Sequence, residues 1–404
     1  MIELAWRNLW RQPKRTLLTV AAIAFAALVM VFLLAFQVGT YAIMEENTLS
    51  LFDGDAQVQQ PGYLDDPGIR KSFATEPLAA SVARVPGVDA VAARAQTYAL
   101  LSKDQRSLAA LIVGVEPKRE ARVSRVATMV RDGRYLETGD AAEMVLGDAL
   151  ARNLGIKVGD RVTMLGMGRD GSVAADVLTV AGVFSTGVNE LDRNLAEMPL
   201  ARFGADFAMP GQAHAIVISG TTLANIDDAL PALRNIATKH NLTVRDWGEL
   251  EPGLKNAIRL DASTSLLWYV ALIVVVVAIL LNTLLMSVLE RTREFGVLLA
   301  LGMRPAAAGR MVWIEIMLLL AIGLAAGIAV GAAAAGWFEV HGLPLPGGDG
   351  VFAQWGLPGR IYPHLNWFSL FAGPAAIAVL TAAAGLFPYL RLRRLDPVTA
   401  MRSA

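Results

Sequence analysis

The sequence holds no cysteine, only four histidines and little charge for its 404 residues. Without cysteine there are no disulfides, thiolate metal sites, cysteine nucleophile or lipidated N-terminal cysteine. His214, His240, His341 and His364 are scattered without ligand spacing, which argues against a zinc site. No Gly-Lys dipeptide occurs, so the phosphate loop G-x-x-x-x-G-K-[ST] is missing and ATP is not bound by that route. No G-x-S-x-G elbow is present, and nothing marks a nucleophile with its base. Charged residues make up 18% of the chain, against about 25% in a soluble domain. Apolar residues reach 54% and mean hydropathy is +0.46. That balance disfavours an ordinary cytosolic enzyme. The 36 basic and 36 acidic residues cancel, so no global attraction to nucleic acid is expected.

What is present is a set of long charge-free runs. Residues 16–44, 262–289, 316–338 and 361–390 contain no Asp, Glu, Lys or Arg. About 20 apolar residues suffice for a helix to cross the hydrocarbon core, so all four runs qualify. The first is too long for the 7–15-residue apolar region of a cleaved signal peptide and reads as an uncleaved anchor.

Charge between the runs sets the topology. Residues 1–15 carry net +3, residues 290–310 net +2 and residues 391–404 net +3, whereas residues 45–261 carry 23 basic and 29 acidic side chains. Short positive segments mark the cytoplasmic side. The expected fold is a membrane α-helical protein of four transmembrane helices, with an extracytoplasmic α/β domain inserted between the first and second. The expected order is an interfacial helix at 1–15, a span at 16–44, the exterior domain at 45–261 and a span at 262–289. A cytoplasmic segment at 290–310, a span at 311–338, an outer loop at 339–364, a span at 365–390 and a cytoplasmic tail at 391–404 complete it.

Within residues 45–261, helical character runs from Glu76 to Val85 and stops at Pro86-Gly87. Alternation at Thr97 to Leu101 and at Leu108 to Val113, around the polar Lys103-Asp104-Gln105, predicts a hairpin. Val145-Leu146-Gly147 leads into a predicted helix from Asp148 to Leu154, with Gly155 as its stop. Gly159-Asp160 turns the chain into Arg161 to Leu165, and strands are predicted at Val177 to Val183 and Ala215 to Ser219. A helix is expected over about Asn225 to His240, interrupted or started by Pro231. One or two small α/β subdomains result.

Three membrane-proximal patterns stand out. In the N-terminal segment Ile2, Trp6, Leu9 and Pro13 fall on one helical face, and Glu3, Arg7, Arg11 and Lys14 on another. Trp6 and Trp10 beside Arg7 and Arg11 suit a helix in the headgroup layer, either as an elbow to a cytoplasmic partner or as a simple positive anchor. In the 290–310 segment, Phe295, Leu298, Leu299 and Gly302 follow i, i+3, i+4, i+7. Gly302 suits a helix stop and Pro305 a helix start. This segment is either inert against headgroups or a knob for a motor subunit. In the third span Gly323, Gly327 and Gly331, continued by Ala335, form a small-residue stripe, read as a helix-packing face. Glu315 stands at the cytoplasmic entrance of that span, and Asn282 lies deep enough in the second to need a partner.

Together these motifs resemble the permease of a MacB-type, or type VII, ABC transporter with an FtsX-like membrane domain. Leu4-Ala5-Trp6-Arg7-Asn8-Leu9 with Lys14-Arg15-Thr16 resembles the family's N-terminal helix. Glu290 to Gly296 and on through Ala300-Leu301-Gly302 is similar to its cytoplasmic coupling segment, and Asp396-Pro397 through Met401-Arg402 to its C-terminal ending. Val145-Leu146-Gly147, Leu154 to Asp160 and Val183 to Gly187 look like its exterior domain. Asn189-Glu190-Leu191-Asp192 followed by Met198-Pro199-Leu200 is closest to the lipoprotein-releasing branch. The resemblance implies a non-catalytic permease subunit in the bacterial inner membrane, with a second permease, itself or a paralogue, and membrane lipid as partners. It implies a cytoplasmic ABC ATPase dimer that holds the ATP and Mg and is separate from this chain, which needs no cofactor of its own. Cargo would be lipoprotein or another amphiphile of the outer leaflet, handed to a periplasmic chaperone or adaptor; no nucleic acid is implied. The other readings are an FtsX-like mechanotransmitter that activates a periplasmic enzyme, and an efflux permease with a periplasmic adaptor.

The same resemblance assigns roles to residues. Arg291, Glu294, Phe295, Leu298, Leu299, Gly302 and Arg304 would couple to the ATPase, with Trp6, Arg7, Trp10 and Arg11 of the N-terminal helix nearby. Phe25, Phe32 and Phe36 on the first span and Tyr269 and Ile273 on the second would line a lipid-accessible cargo chamber. The topology is testable by reporter fusion: alkaline phosphatase joined after position 150 should be active, and joined after position 300 inactive. An inactive fusion at position 150 beside an active one at position 300 overturns the reading.

Overall fold

The computed structural model describes residues 2–137, 139, 141–290, 297, 303–344 and 360–386. It begins with α1 (Ile2–Leu9) and α2 (Pro13–Leu49). Then come β1 (Ala56–Gln59), β2 (Phe73–Ala74), α3 (Leu78–Val82), β3 (Val88–Lys103), β4 (Arg106–Val115), α4 (Pro117–Val123), β5 (Val130–Gly133), β6 (Glu143–Gly147) and α5 (Asp148–Leu154). These are followed by β7 (Arg161–Met167), β8 (Val173–Phe184), α6 (Asn189–Asn194), β9 (Leu195–Pro199), α7 (Leu200–Asp206), β10 (Gln212–Ala213), β11 (Ala215–Gly220), α8 (Leu223–Lys239), β12 (Thr243–Asp246) and α9 (Trp247–Leu250). Helix α10 (Pro252–Glu290), α11 (Pro305–His341), β13 (Leu343–Pro344), β14 (Arg360–Ile361) and α12 (Trp367–Ala384) complete the described chain. Two units divide the described chain: residues 44–256, and the remainder.

The first unit, where one or two α/β subdomains are expected, is built on one large mixed sheet beside the two-stranded β2–β10 sheet. The order of the large sheet is β12-β1-β11-β3-β4-β9-β6-β8-β5, with β7 bridging β3 and β8. Pairs β4/β9 and β6/β8 are parallel, and the others are antiparallel. The β3–β4 hairpin closes at Lys103↔Arg106, so Asp104 and Gln105 form the turn, and Asp104 takes a left-handed φ of 53°. Two-residue hairpin turns demand positive φ, and Asp tolerates it. Gly155 ends α5 at φ 69°, where a side chain would be strained. Helix α8 runs unbroken through Pro231, against the expectation that Pro231 interrupts or starts it. Pro231 lies on the exposed face, where water satisfies the carbonyl it frees. Ile226, Ala229, Leu230 and Leu233 carry one apolar stripe across it onto Val58, Ile216 and Ile218.

The second core, on the other strands, joins Leu101, Ile112, Leu146, Leu150 and Phe203. Beside it lies a buried charge cluster. Arg94 of β3 is 2% exposed and Glu120 of α4 is 0%. The guanidinium gives Nε to Glu120 Oε2 at 3.0 Å and Nη2 to Glu120 Oε1, donates Nη1 to the Phe52 carbonyl and lies 4.2 Å from the Phe52 ring centroid. Glu197 of β9 is 0% exposed and accepts a 2.6 Å bond from the Tyr135 hydroxyl. Burial, then the Glu120 carboxylate, push the Glu197 carboxyl up to about 8.

In the other unit four helices are long and apolar enough to cross a membrane. Helix α1 ends at Leu9 and Pro13 opens α2, so Pro13 does not share the N-terminal helix with Ile2, Trp6 and Leu9. Ile23, Ala26 and Met30 of α2 pack with Ile273 and Leu280 of α10, Leu319 and Leu320 of α11 and Ile377 of α12. The glycine stripe of α11 lies against α2. A Cβ on Gly323 would stand 2.6 Å from Ile23 Cβ, one on Gly327 2.6 Å from Ala27 Cβ, and one on Gly331 3.1 Å from Leu28 Cα. Small residues let the backbones approach this closely. Helix α10 is the least covered, with Leu266, Leu267, Trp268, Val274 and Val275 exposed.

Two outcomes follow. Gly327→Val must move the α2 backbone, whereas Gly336→Val meets only Leu365 Cδ1 at 3.6 Å. Gly327→Val should therefore cost about 2 kcal/mol and lower the melting temperature in detergent, with Gly336→Val near wild type; equal melting temperatures would show that the α2 seam yields. For Glu197, the folded value lies above that of unfolded glutamate, about 4.3. The folded chain thus holds a proton that the unfolded chain releases. This contribution is complete below the unfolded value and is lost as pH rises through the folded one. Wild type should lose thermal stability from pH 6 to pH 9, and Glu197→Gln, which still accepts from Tyr135, should lose less; parallel curves would place the titration on another group.

Candidate functional site

At the N-terminal end, α1 buries Ala5 and Leu9, and its Asn8 Nδ2 donates to Glu315 Oε1 of α11 at 2.9 Å. Glu315, 8% exposed, is thus bonded at the foot of the third span. The two residues are 307 positions apart, beyond the reach of any sequence pattern. Trp6 and Trp10 stack edge-on at 6.0 Å and remain exposed, as do Arg7 and Arg11. The N-terminal segment therefore offers an aromatic and cationic outer face, with Ala5 and Leu9 turned inward and Leu4 exposed. Arg304 is exposed and caps the start of α11. Arg291, Glu294, Phe295, Leu298, Leu299 and Gly302 lie outside the described residues, as does the tail motif from Asp396 to Arg402.

The chamber candidates differ in exposure. Phe25 is exposed, Phe32 meets Phe338 of α11 edge-on at 5.9 Å, and Phe36 is half-buried. Ile273 is buried in the helix core. Tyr269 donates to Gln37 Oε1 at 3.0 Å, Gln37 Nε2 to the Tyr41 hydroxyl at 2.7 Å, and that hydroxyl to Asp261 Oδ2 at 2.6 Å. A polar chain missed by hydropathy thus joins α2 to α10, and each of its members finds a partner, as an apolar environment requires. Asn282, a suspected buried polar group, is exposed.

The α/β unit contains a second polar site, missed by the sequence reading. Residues directly opposite across a sheet share a face. Gln59 of β1 pairs Ala215 of β11, which pairs Arg94 of β3. The small Ala215 leaves an open cavity of about 240 Å³ between the larger side chains, and Asp53, Gln57 and Gln96 also line it. Among the described residues no group of three or more His, Asp or Glu has metal-binding geometry. The Asp53 and Glu251 carboxyls act on each other. Burial, then Asp53, push the Glu251 carboxyl up to about 7. Burial also raises Asp53, against the pull of Arg94.

Comparison with known proteins accounts for both units. Residues 16–236 match the MacB-like periplasmic core domain, and residues 267–397 match the FtsX-like permease C-terminal region. The lipoprotein-releasing system transmembrane protein LolC of Xylella fastidiosa (strain 9a5c) is 26% identical over 342 residues, 78% of this chain and 78% of that protein. LolE of Haemophilus influenzae, from a system of the same name, is 25% identical over 324 residues, 76% of this chain and 75% of its own. The macrolide export ATP-binding/permease protein MacB of Nitrosomonas europaea is 25% identical across 100% of this chain, which spans 59% of that longer protein. The periplasmic core match covers more than half of the sequence and the permease match most of what remains. The chain therefore belongs to the MacB/FtsX-like family and is a permease component of an ABC transporter of the LolC/LolE or MacB type.

Proposed function

We propose that this permease is a non-catalytic subunit of the bacterial inner membrane that lets a separate cytoplasmic ATPase dimer, holding ATP and Mg, drive its α/β unit on the periplasmic side. The cargo is a lipoprotein or another amphiphile drawn from the outer leaflet. The observation that carries this reading is the match to LolC over 78% of both chains. Helix length supports the mechanical part. At 1.5 Å per residue, the 37 residues of α2 and 39 of α10 make rods of roughly 55 and 58 Å, against a hydrocarbon core of about 30 Å. Each rod extends well past the bilayer, so a tilt at one end is delivered at the other. The exposed apolar face of α10 supports pairing with a second permease, this chain or a paralogue, around a lipid-accessible chamber.

Work enters at the cytoplasmic surface, where both termini and residues 290–304 lie in this reading. Phe295, Leu298 and Leu299 fill a groove on the ATPase. Arg291, Glu294 and Arg304 orient it from the rim, where charge governs specificity more than affinity. The exposed face of Trp6, Arg7, Trp10 and Arg11 lies alongside. Buried apolar anchors often contribute about 2 kcal/mol or more each. Leu298→Asp should therefore release the ATPase on co-purification, or leave ATP turnover in lipid unresponsive to an added acylated protein, whereas Arg293→Ala stays near wild type. Full association and full cargo release by Leu298→Asp would remove residues 290–304 from coupling. Intact ATPase stimulation by a periplasmic hydrolase, with no acylated protein bound, would favour the mechanotransmitter reading.

A further inference from the structure

The cavity over Ala215 has one excess that its own side chains leave unspent, and it is of acceptors. Asp53's backbone carbonyl can only accept, so Gln57 Nε2 donates to it at 2.8 Å. Gln57 Oε1 then accepts from Gln59 Nε2 at 2.6 Å, which fixes the orientation of both amides. Gln59 Oε1 is left without a partner among the described residues, on a side chain 2% exposed. A buried unpaired acceptor costs roughly 1–3 kcal/mol until a donor reaches it. The one cation on the wall, Arg94, already spends Nε, Nη1 and Nη2 on Glu120 and the Phe52 carbonyl. Asp53 also lines the wall, Glu251 acts on it, and the charge of Glu190 acts on Glu251. Glu120, Glu197 and Tyr135 lie behind Arg94. Arg94 is paired with Glu120, so Asp53 and Glu251 are the charged groups of the cavity left without a counter-ion among the described residues. The rest of the lining includes Leu64, Pro67, Leu111 and Leu250, a surface for methylenes. A volume of about 240 Å³ far exceeds the roughly 30 Å³ share of one water.

We propose that this cavity binds an alkyl cation, an ammonium or guanidinium head on a short aliphatic stem, as carried by a lysine or arginine side chain or by a free amine. The head donates to the Asp53 carboxylate and to Gln59 Oε1, and the stem lies on the leucines. Binding beside Asp53 favours the ionised form of the raised Glu251 carboxyl, so the cation competes with the proton there. With Glu251 pushed up to about 7 by burial and by Asp53, affinity rises with pH across this window.

Isothermal titration of the full chain in detergent with n-butylammonium tests this. Binding should strengthen about tenfold from pH 6 to pH 8, and 1-butanol, a neutral molecule of the same length, should bind at least about tenfold more weakly. Asp53→Asn should abolish binding, Glu251→Gln should remove its pH dependence, and Ala215→Val should block the cavity floor. Acetyl-Gly-Lys-Gly-amide separates the sources. Tighter binding than n-butylammonium assigns the site to polypeptide side chains, and exclusion of the peptide while the amine binds assigns it to free amines. The comparison of amine with alcohol needs no variant, so loss of folding in Asp53→Asn leaves it decisive. No heat from either cation at pH 8, or equal binding of amine and alcohol, overturns the proposal.

Discussion

Arg94 is the largest side chain buried below 2% among the described residues, and the α/β unit is organised around satisfying it. An unpaired guanidinium inside a protein is costly enough that its partners must be in place before the fold is worth adopting. Glu120 takes two of its nitrogens and the Phe52 carbonyl a third, while the Phe52 ring covers its face. These partners come from α4 and from the segment after α2. The ion pair therefore closes long stretches of chain, whereas the aliphatic cores on either side tolerate exchange of one apolar residue for another of like volume. Glu197, on the parallel β4–β9 pair, has its carboxyl pushed up first by burial and then by the charge of Glu120.

The helical unit meets the opposite constraint. Apolar surface gains nothing by leaving lipid for protein, so helix association depends on close packing and a few polar contacts. Gly323, Gly327 and Gly331 let α11 approach α2, Asn8 and Glu315 tie α1 to the same helix, and the Tyr269–Gln37–Tyr41–Asp261 chain joins α2 to α10. Helix α10 has no glycine seam and keeps most of its apolar side chains uncovered. A helix held mainly by a short polar chain and a few core leucines and valines is the span freest to change its neighbours.

Sequence legibility follows the range of each interaction. The β3–β4 turn, the Gly155 stop and the start of α11 at Pro305 each depend on the φ preference of one or two residues, and these were readable. The four charge-free runs were readable because hydrocarbon excludes charge along a whole helix. Pro231 misled, because the local rule against proline ignores an apolar stripe that continues on both sides and water that reaches the exposed face. Arg94 and Glu120, 26 residues apart, look like ordinary surface charges until the sheet and α4 bring them together. The amide chain of Gln57 and Gln59 hides in a four-residue strand whose alternation sends Ala56 and Val58 to one core and the glutamines to the other face.

The same placement connects the buried cation to the long helices. Phe52 and Asp53 follow the last residue of α2 within four positions, and Glu251 immediately precedes α10. Phe52 binds Arg94 through both its carbonyl and its ring, and the Asp53 and Glu251 carboxyls act on each other. The chain leaving α2 is therefore tied to β3 by a charged group whose hydrogen bonds strengthen in a dry environment. Packing by leucines alone would allow that connection to slide at little cost. A guanidinium with three assigned nitrogens does not, because moving Phe52 leaves a buried donor of Arg94 without its acceptor.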